Sequence, residues 1–275
     1  MALTVNTNMA AMRASNTLNN TQGALSSTLA RVSSGLRVTK AADDAAGQAV
    51  ATNLSTQARS GKQAIRNAND GISVIQTAEA ASKEVINILD RMRELAVQSS
   101  SETLEDDERA YIDAEFHQLS DEVERIAQST EFNDIQLGDG TNASLDVQVG
   151  VDASSNSRVA ISLGNLTTSN LSVETGDIDL TKASAAQSAI TDIDTAIDSV
   201  NSIRASYGAV QNRLESSINN MSAYVESLSS AASQIQDADY AHETAEMTRL
   251  QVMQQAGVAA LGQARGMNQS VLSLL

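Results

Sequence analysis

The chain has 275 residues, carries 18 Lys and Arg against 34 Asp and Glu for a formal net charge of −16, and contains no Pro, Cys or Trp. That length supports one or two domains with a real core, while the missing cysteines exclude disulfides and thiolate chemistry. At a typical usage of about 5%, roughly fourteen prolines would be expected; their absence permits very long helices and removes slow cis/trans isomerisation from folding.

At the N-terminus Leu18, Leu25, Leu29, Val32 and Leu36 recur at three- and four-residue spacing, with Gln22 at one position, and predict one half of a helical seam. Residues 1 to 66 hold seven Arg and Lys against Asp43 and Asp44, a net of +5, which leaves −21 for the remainder. The basic residues are scattered and no aromatics interleave with them, so nucleic-acid binding is not expected. Residues 1 to 30 lack the continuous apolar h-region of a secretory signal. No stretch approaches the ~18 apolar residues of a membrane span, so membrane insertion is not expected either.

The run 33–47 mixes Gly35, Gly47, Ser and Asp, which marks a helix end and a new start with Asp43 or Asp44 as N-cap. The next helix, about 44–100, carries Gly71, Val74, Ala78, Ala81, Val85, Ile88, Met92 and Leu95 on one stripe. Ile65, Ile72, Ile75, Ile86 and Leu89 widen it, so several partners are required. A helix at about 104–130 buries Ile112, Phe116, Leu119, Val123 and Ile126, with carboxylates on the opposite face. From about residue 138 the period falls to two: Leu145, Val147, Val149 and Val151, then Val159, Ile161 and Leu163 after the turn-forming DASSNS, predict a hairpin. A second extended piece is expected over 171–180. The last long helix, about 183–235, places Val200, Ile203, Tyr207, Val210, Leu214, Ile218, Met221, Val225, Leu228, Ala232 and Ile235 on one face. At ~1.5 Å per residue it is a rod of roughly 75 to 80 Å.

The C-terminal segment completes the seam: Met247, Leu250, Gln254, Gly257, Leu261, Ala264, Asn268, Val271 and Leu275 alternate by three and four. A second stripe, Met253, Ala256, Ala260, Met267 and Leu274, makes this helix apolar on more than one side, so a single partner does not cover it. The expected fold is mainly α, an elongated antiparallel helical bundle or coiled coil with a small β-hairpin region at one end. Residues 1–43 and 236–275 form an inner coiled-coil domain and 44–235 a rod domain. Leu18, Leu25, Leu29, Val32, Leu36, Leu250, Leu261, Val271, Leu272, Leu274 and Leu275 are the expected assembly contacts.

Little points to an active site. His117 with Asp121 and His242 with Glu246 are i,i+4 pairs of a kind that can hold a metal, but two ligands without a third read better as surface ion pairs. Glu102, Glu105, Asp106, Asp107 and Glu108 suit a first helical turn. LGDGTN (137–142) lacks the ligand pattern of a calcium loop and reads as a turn. No catalytic, metal or cofactor site is expected.

MALTVNTNMAAM at the start, LARVSSGLRVTKAADDAAGQAVA (29–51), RNANDGISVIQTAEAA (66–81), LDRMRELAVQSS (89–100), TEFND (130–134), YGAVQNRL (207–214), DADYAHE (237–243), QQAGVAALGQAR (254–265) and the terminal VLSLL resemble bacterial flagellin. The chain looks like a short form without the variable outer domains. The resemblance implies a filament subunit for motility, secreted unfolded through the flagellar type III export apparatus with an export chaperone, folded at the tip and polymerised with its own copies. Cap and hook-filament junction proteins are further implied partners, and the filament outside the cell is the implied location. Arg91, Leu95 and Glu115 match residues bound by the vertebrate Toll-like receptor for flagellin, whereas Asp90 stands where Gln is common. Asp134 replaces a usual Gly, so its turn calls for an αL Asp. Ser154, Ser155, Ser157, Thr167, Thr168 and Ser169 lie in the expected exposed hairpin region and offer hydroxyls for O-glycosylation, although a polar loop accounts for them equally. The rival readings are a hook-filament junction protein, which caps without propagating, and a secreted helical ligand acting on host cells.

Overall fold

The computed structural model describes residues 7–176 and 178–272, with side chains described as far as residue 266. In chain order these form α1 (Met9–Ser34), α2 (Ala45–Ser99), α3 (Asp106–Ser129), β1 (Glu131–Phe132), β2 (Ile135–Gln136), β3 (Ser144–Gln148), β4 (Arg158–Ser162), α4 (Thr168–Leu171), α5 (Ala183–Gln236) and α6 (Tyr240–Leu272). Two compact units result, one of residues 59–225 and one that joins 1–58 to 226–275.

In the 59–225 unit, α2, α3 and α5 pack around two apolar clusters. Val85, Leu89 and Met92 of α2 meet Ile112, Phe116 and Val123 of α3 and Ile193, Ala196 and Val200 of α5. The second cluster joins Ala68, Ile75 and Ala78 of α2 and Tyr207, Val210 and Leu214 of α5 to Val149, Val159 and Ile161 of the β3–β4 hairpin. Each large side chain so buried contributes roughly 1.5 to 3 kcal/mol relative to exposure. The Tyr207 hydroxyl is satisfied by accepting from the Gly164 amide at 2.9 Å, and burial pushes its phenol up from the usual range. β3 and β4 pair antiparallel from Ser144↔Ser162 to Gln148↔Arg158, which places Leu145 and Val147 opposite Ile161 and Val159.

Three features depart from the periodicity or escape it. β1 and β2 form a small hairpin that the sequence pattern did not announce, turned by Asn133 at φ 51° and Asp134 at φ 63°. Two successive left-handed residues make the tight turn suited to strand twist, and Asn and Asp tolerate it best among non-glycines. Leu171 closes α4, and residues 172–176 and 178–180 pair with no described strand. They form a strap instead, with Val173, Ile178 and Leu180 buried and the backbone bonded to side chains. The Ser120 hydroxyl donates to the Val173 carbonyl at 2.7 Å, the Leu180 amide donates to Asp113 at 2.9 Å, and the Ser99 hydroxyl donates to the Leu180 carbonyl. Finally, Arg109 lies buried on the same face of α3 as Ile112, Phe116 and Val123, where apolar residues were expected with the charges opposite, and donates to the carbonyls of Ser99, Ser101 and Leu104.

Glu124 of α3 anchors α4, which leads into the strap, by accepting from the Thr168 amide at 2.9 Å and hydroxyl at 3.0 Å. Burial alone would raise its carboxyl, but the Thr168 amide, Gln128 and the Thr168 hydroxyl together hold it below the ordinary glutamate value of 4.5. A depressed carboxyl contributes stability that is present above its unfolded value and is lost as pH falls through the folded one. Acidification below about pH 4.5 is therefore expected to lower the amide-exchange protection factors, taken relative to the intrinsic rate at each pH, of residues 168–176. In Glu124→Gln the protection should already be lower at pH 7 and less pH-dependent; an unchanged protection profile in the variant would remove Glu124 as the clamp.

Candidate functional site

The 1–58/226–275 unit is where the expected assembly residues gather. α1 begins at Asn8, whose side chain accepts from the Ala11 amide at 2.9 Å, and ends at Gly35, which takes φ 72° and donates to the Arg31 carbonyl at 2.8 Å. Only glycine adopts that left-handed cap without strain. α2 starts on Asp44, which accepts from the Gly47 amide at 2.8 Å, while Asp43 accepts from the Thr39 hydroxyl and the Thr39 and Lys40 amides, a set that lowers its carboxyl. α6 starts on Asp239, which accepts from the Ala241 and His242 amides at 2.9 and 3.2 Å. These caps explain why TKAADDAAG and DADYAHE interrupt the helical pattern.

α1 and α6 run antiparallel against each other. The Asn8 side chain donates to the Ala264 carbonyl at 2.9 Å, Gln254 donates to Gln22, and Arg31 pairs with Glu243 at 3.3 Å. Gly257 lets the helices approach: a Cβ there would lie 3.3 Å from Leu18 Cδ1. The α6 seam consists of Met247, Leu250, Gln254, Gly257, Leu261 and Ala264, all buried or half-buried. On α1 the inward positions are Ala11, Ala14, Leu18, Thr21, Leu25, Thr28 and Val32. Leu18, Leu25 and Val32 thus take their expected places, but Leu29 does not: it is 55% exposed, and Thr21 and Thr28 are buried in the alternate layers instead. The Thr21 hydroxyl bonds back to the Thr17 carbonyl at 2.9 Å, which allows a threonine to enter a closely packed seam. Leu36 leaves the helix and forms an antiparallel bridge with Asp237, in which the Arg37 amide donates to the Gln236 carbonyl at 2.7 Å and the Ala238 amide to the Gly35 carbonyl at 2.9 Å. The Val271 and Leu272 side chains, with Met267, Leu274 and Leu275, lie outside the described residues.

The faces turned away from the seam mix polar residues with uncovered apolar ones. Met9, Met12 and Leu29 on α1 and Val252, Met253 and Val258 on α6 are all more than 40% exposed, and Ala256, Ala259 and Ala260 lie among them. The two helices thus cover each other on one stripe and leave these aliphatic and thioether side chains in water.

The remaining expected sites sort as follows. Arg91 bonds Glu115 at 2.8 Å and Glu94 at 2.9 Å on the surface, and both carboxylates raise its guanidinium above the ordinary range. Leu95, between them in the expected set, is only 1% exposed and belongs to the core. Ser154, Ser155 and Ser169 are exposed, Ser157 and Thr167 half-buried. Thr168 is buried and engaged with Glu124, so the hydroxyls of 167–169 do not share one exposed loop. His117 pairs with Asp113 at 3.1 Å rather than with Asp121, which accepts from Thr175, and Glu246 is held by Arg249. No group of three metal-ligating side chains occurs among the described residues. No described helix is long and apolar enough to cross a membrane.

Comparison with known proteins assigns both ends of the chain. Residues 5–143 match the profile of the bacterial flagellin N-terminal helical region and residues 190–275 that of the C-terminal helical region. The flagellin of Halalkalibacterium halodurans is 42% identical over 271 residues, covering 98% of this chain and 99% of that protein. The flagellar filament 33 kDa core protein of Treponema phagedenis is 38% identical, with the same two coverages, and the flagellin of Bacillus subtilis 36% identical, again with 98% and 99%. Among solved structures, a hook-associated protein of Vibrio parahaemolyticus, described as putative, shares the fold at a TM-score of 0.59 with 15% identity, covering 71% of this chain and 100% of that one.

Proposed function

Since the chain belongs to the bacterial flagellin family and is a structural subunit of the extracellular flagellar filament, we propose that α1 and α6 are its polymerisation device, with neighbouring copies covering the faces that the seam leaves bare. The observation that carries this reading is the exposure of Met9, Met12, Leu29, Val252, Met253 and Val258 on the two terminal helices. An isolated antiparallel pair rich in Ala, Gly, Asn and Gln has little apolar area to offset an ordering cost of about 1 to 2 kcal/mol per residue. Burial against further copies supplies the balance, so ordering of the ends is coupled to assembly. Residues 1–43 and 236–275 then act as the inner coiled-coil domain and 44–235 as the rod. A proline-free, cysteine-free chain suits passage unfolded through the export apparatus with its chaperone and rapid folding beneath the cap. Recognition by the vertebrate Toll-like receptor is assigned to the surface pair Arg91 and Glu115, with Leu95 supporting them from below.

Purified chain added to fragments of its own filaments is expected to elongate them, as seen by electron microscopy. Soluble, folded chain that leaves the fragments at their original length would favour a junction protein instead.

A further inference from the structure

A heptad seam fixes its register only as far as one layer differs from the next. Here the layers differ little, since small and mid-sized residues (Ala, Thr, Leu) on α1 oppose Ala, Gly, Gln and Leu on α6. Sliding by seven residues exchanges one modest apolar contact for another; the Gln22–Gln254 bond is exposed and the Leu36–Asp237 bridge lies outside the helices, so the polar groups that a slide would part there can bond to water instead.

The ion pair of Arg31 with Glu243 breaks this degeneracy. It closes at 3.3 Å with the Glu243 side chain 8% exposed and that of Arg31 32% exposed. Arg31 Nε and Glu243 Oε2 are buried and have no other hydrogen-bond partner among the described residues. Such a pair adds little net stability, because desolvation offsets most of the attraction, yet separating the partners leaves a buried charge uncompensated. No other register re-forms it. The one other charged residue of α1 is Arg13, eighteen residues earlier, a displacement of ~27 Å along the helix. On α6, the other carboxylate, Glu246, is held by Arg249. Both partners also suit their own helix ends, Arg31 in the last turn of α1 and Glu243 in the first turn of α6.

We propose that Arg31 and Glu243 form the register lock of the terminal helix pair, selecting the one alignment in which the polymerisation surface is built correctly. The proposal rests on the reading of α1 and α6 as the assembly device. The chain has no cysteine, so register can be read with introduced pairs in full-length protein grown on filament seeds. Gln22→Cys with Gln254→Cys reports the native alignment; Gln22→Cys with Met247→Cys or with Leu261→Cys reports a slip of one heptad. Oxidation is expected to close the 22–254 link within one chain and essentially no slipped link. Adding Glu243→Gln should raise the slipped products roughly tenfold, and the exchange Arg31→Glu with Glu243→Arg should suppress them again. Slipped products that stay at the starting level in Glu243→Gln would overturn the lock. If the single variant does not elongate seeds, restored elongation in the exchange variant supports it and continued failure overturns it. Absence of the 22–254 link from filaments of otherwise unaltered chain would instead sink the underlying reading of the terminal helices.

Discussion

The double substitution Val252→Glu, Met253→Glu is expected to abolish elongation of filament seeds while shifting the thermal midpoint of the free chain by no more than a degree or two. Both positions face away from the α1–α6 seam and are 60% and 41% exposed, so in the free subunit the carboxylates remain in water. Glu is also a good helix former, and surface changes of this kind stay within about 0.5 kcal/mol. Against the same face of a neighbouring copy, two unpaired carboxylates would cost several kcal/mol each to desolvate. Circular dichroism supplies the stability measurement and light scattering the polymer yield. Normal elongation by the variant would place Val252 and Met253 in water inside the filament and remove the main support for copy-to-copy burial there.

Arg109→Ala is expected to cost the 59–225 unit about 3 kcal/mol, as much as truncating a core side chain, and hence roughly 6 to 12 °C in thermal midpoint for a body of this size. The guanidinium bonds the carbonyls of Ser99, Ser101 and Leu104, the latter two at 2.9 and 3.0 Å. Ser99 closes α2, so its carbonyl belongs to the set left without partners inside the helix, and a cation there also meets the negative end of the helix dipole. Alanine removes the donors and opens a cavity together. Arg109→Met restores most of the volume without the donors, and should recover less than half of the loss. A deficit below about 1 kcal/mol in Arg109→Ala would show that water satisfies the same carbonyls.

What could be read from the sequence was set by how strongly residue type tracks position. The stripe from Val200 to Ile235 on α5 is buried or half-buried at every position expected, because a long apolar repeat admits one helical phase. On α1 the competition was close. Leu29 and Gln22 share the spacing of Leu18 and Leu25 as well as Thr21 and Thr28 do, and hydrophobicity favours the leucine. Packing chose the threonines, which are small enough for close approach, with Thr21 also bonding back to its own helix, and Leu29 was left exposed. The strap and Arg109 were beyond periodicity, since their backbone and guanidinium partners come from residues scattered over Ser99, Asp113 and Ser120. The αL turn at Asp134 was legible because backbone sterics, unlike burial, act at a single residue.

The Leu36–Asp237 bridge fastens the connector leaving α1 to the connector entering α6 by two amide–carbonyl bonds. Hinge bending at either joint must therefore drag the opposite one, and the terminal helices tilt as a yoked pair instead of swinging separately.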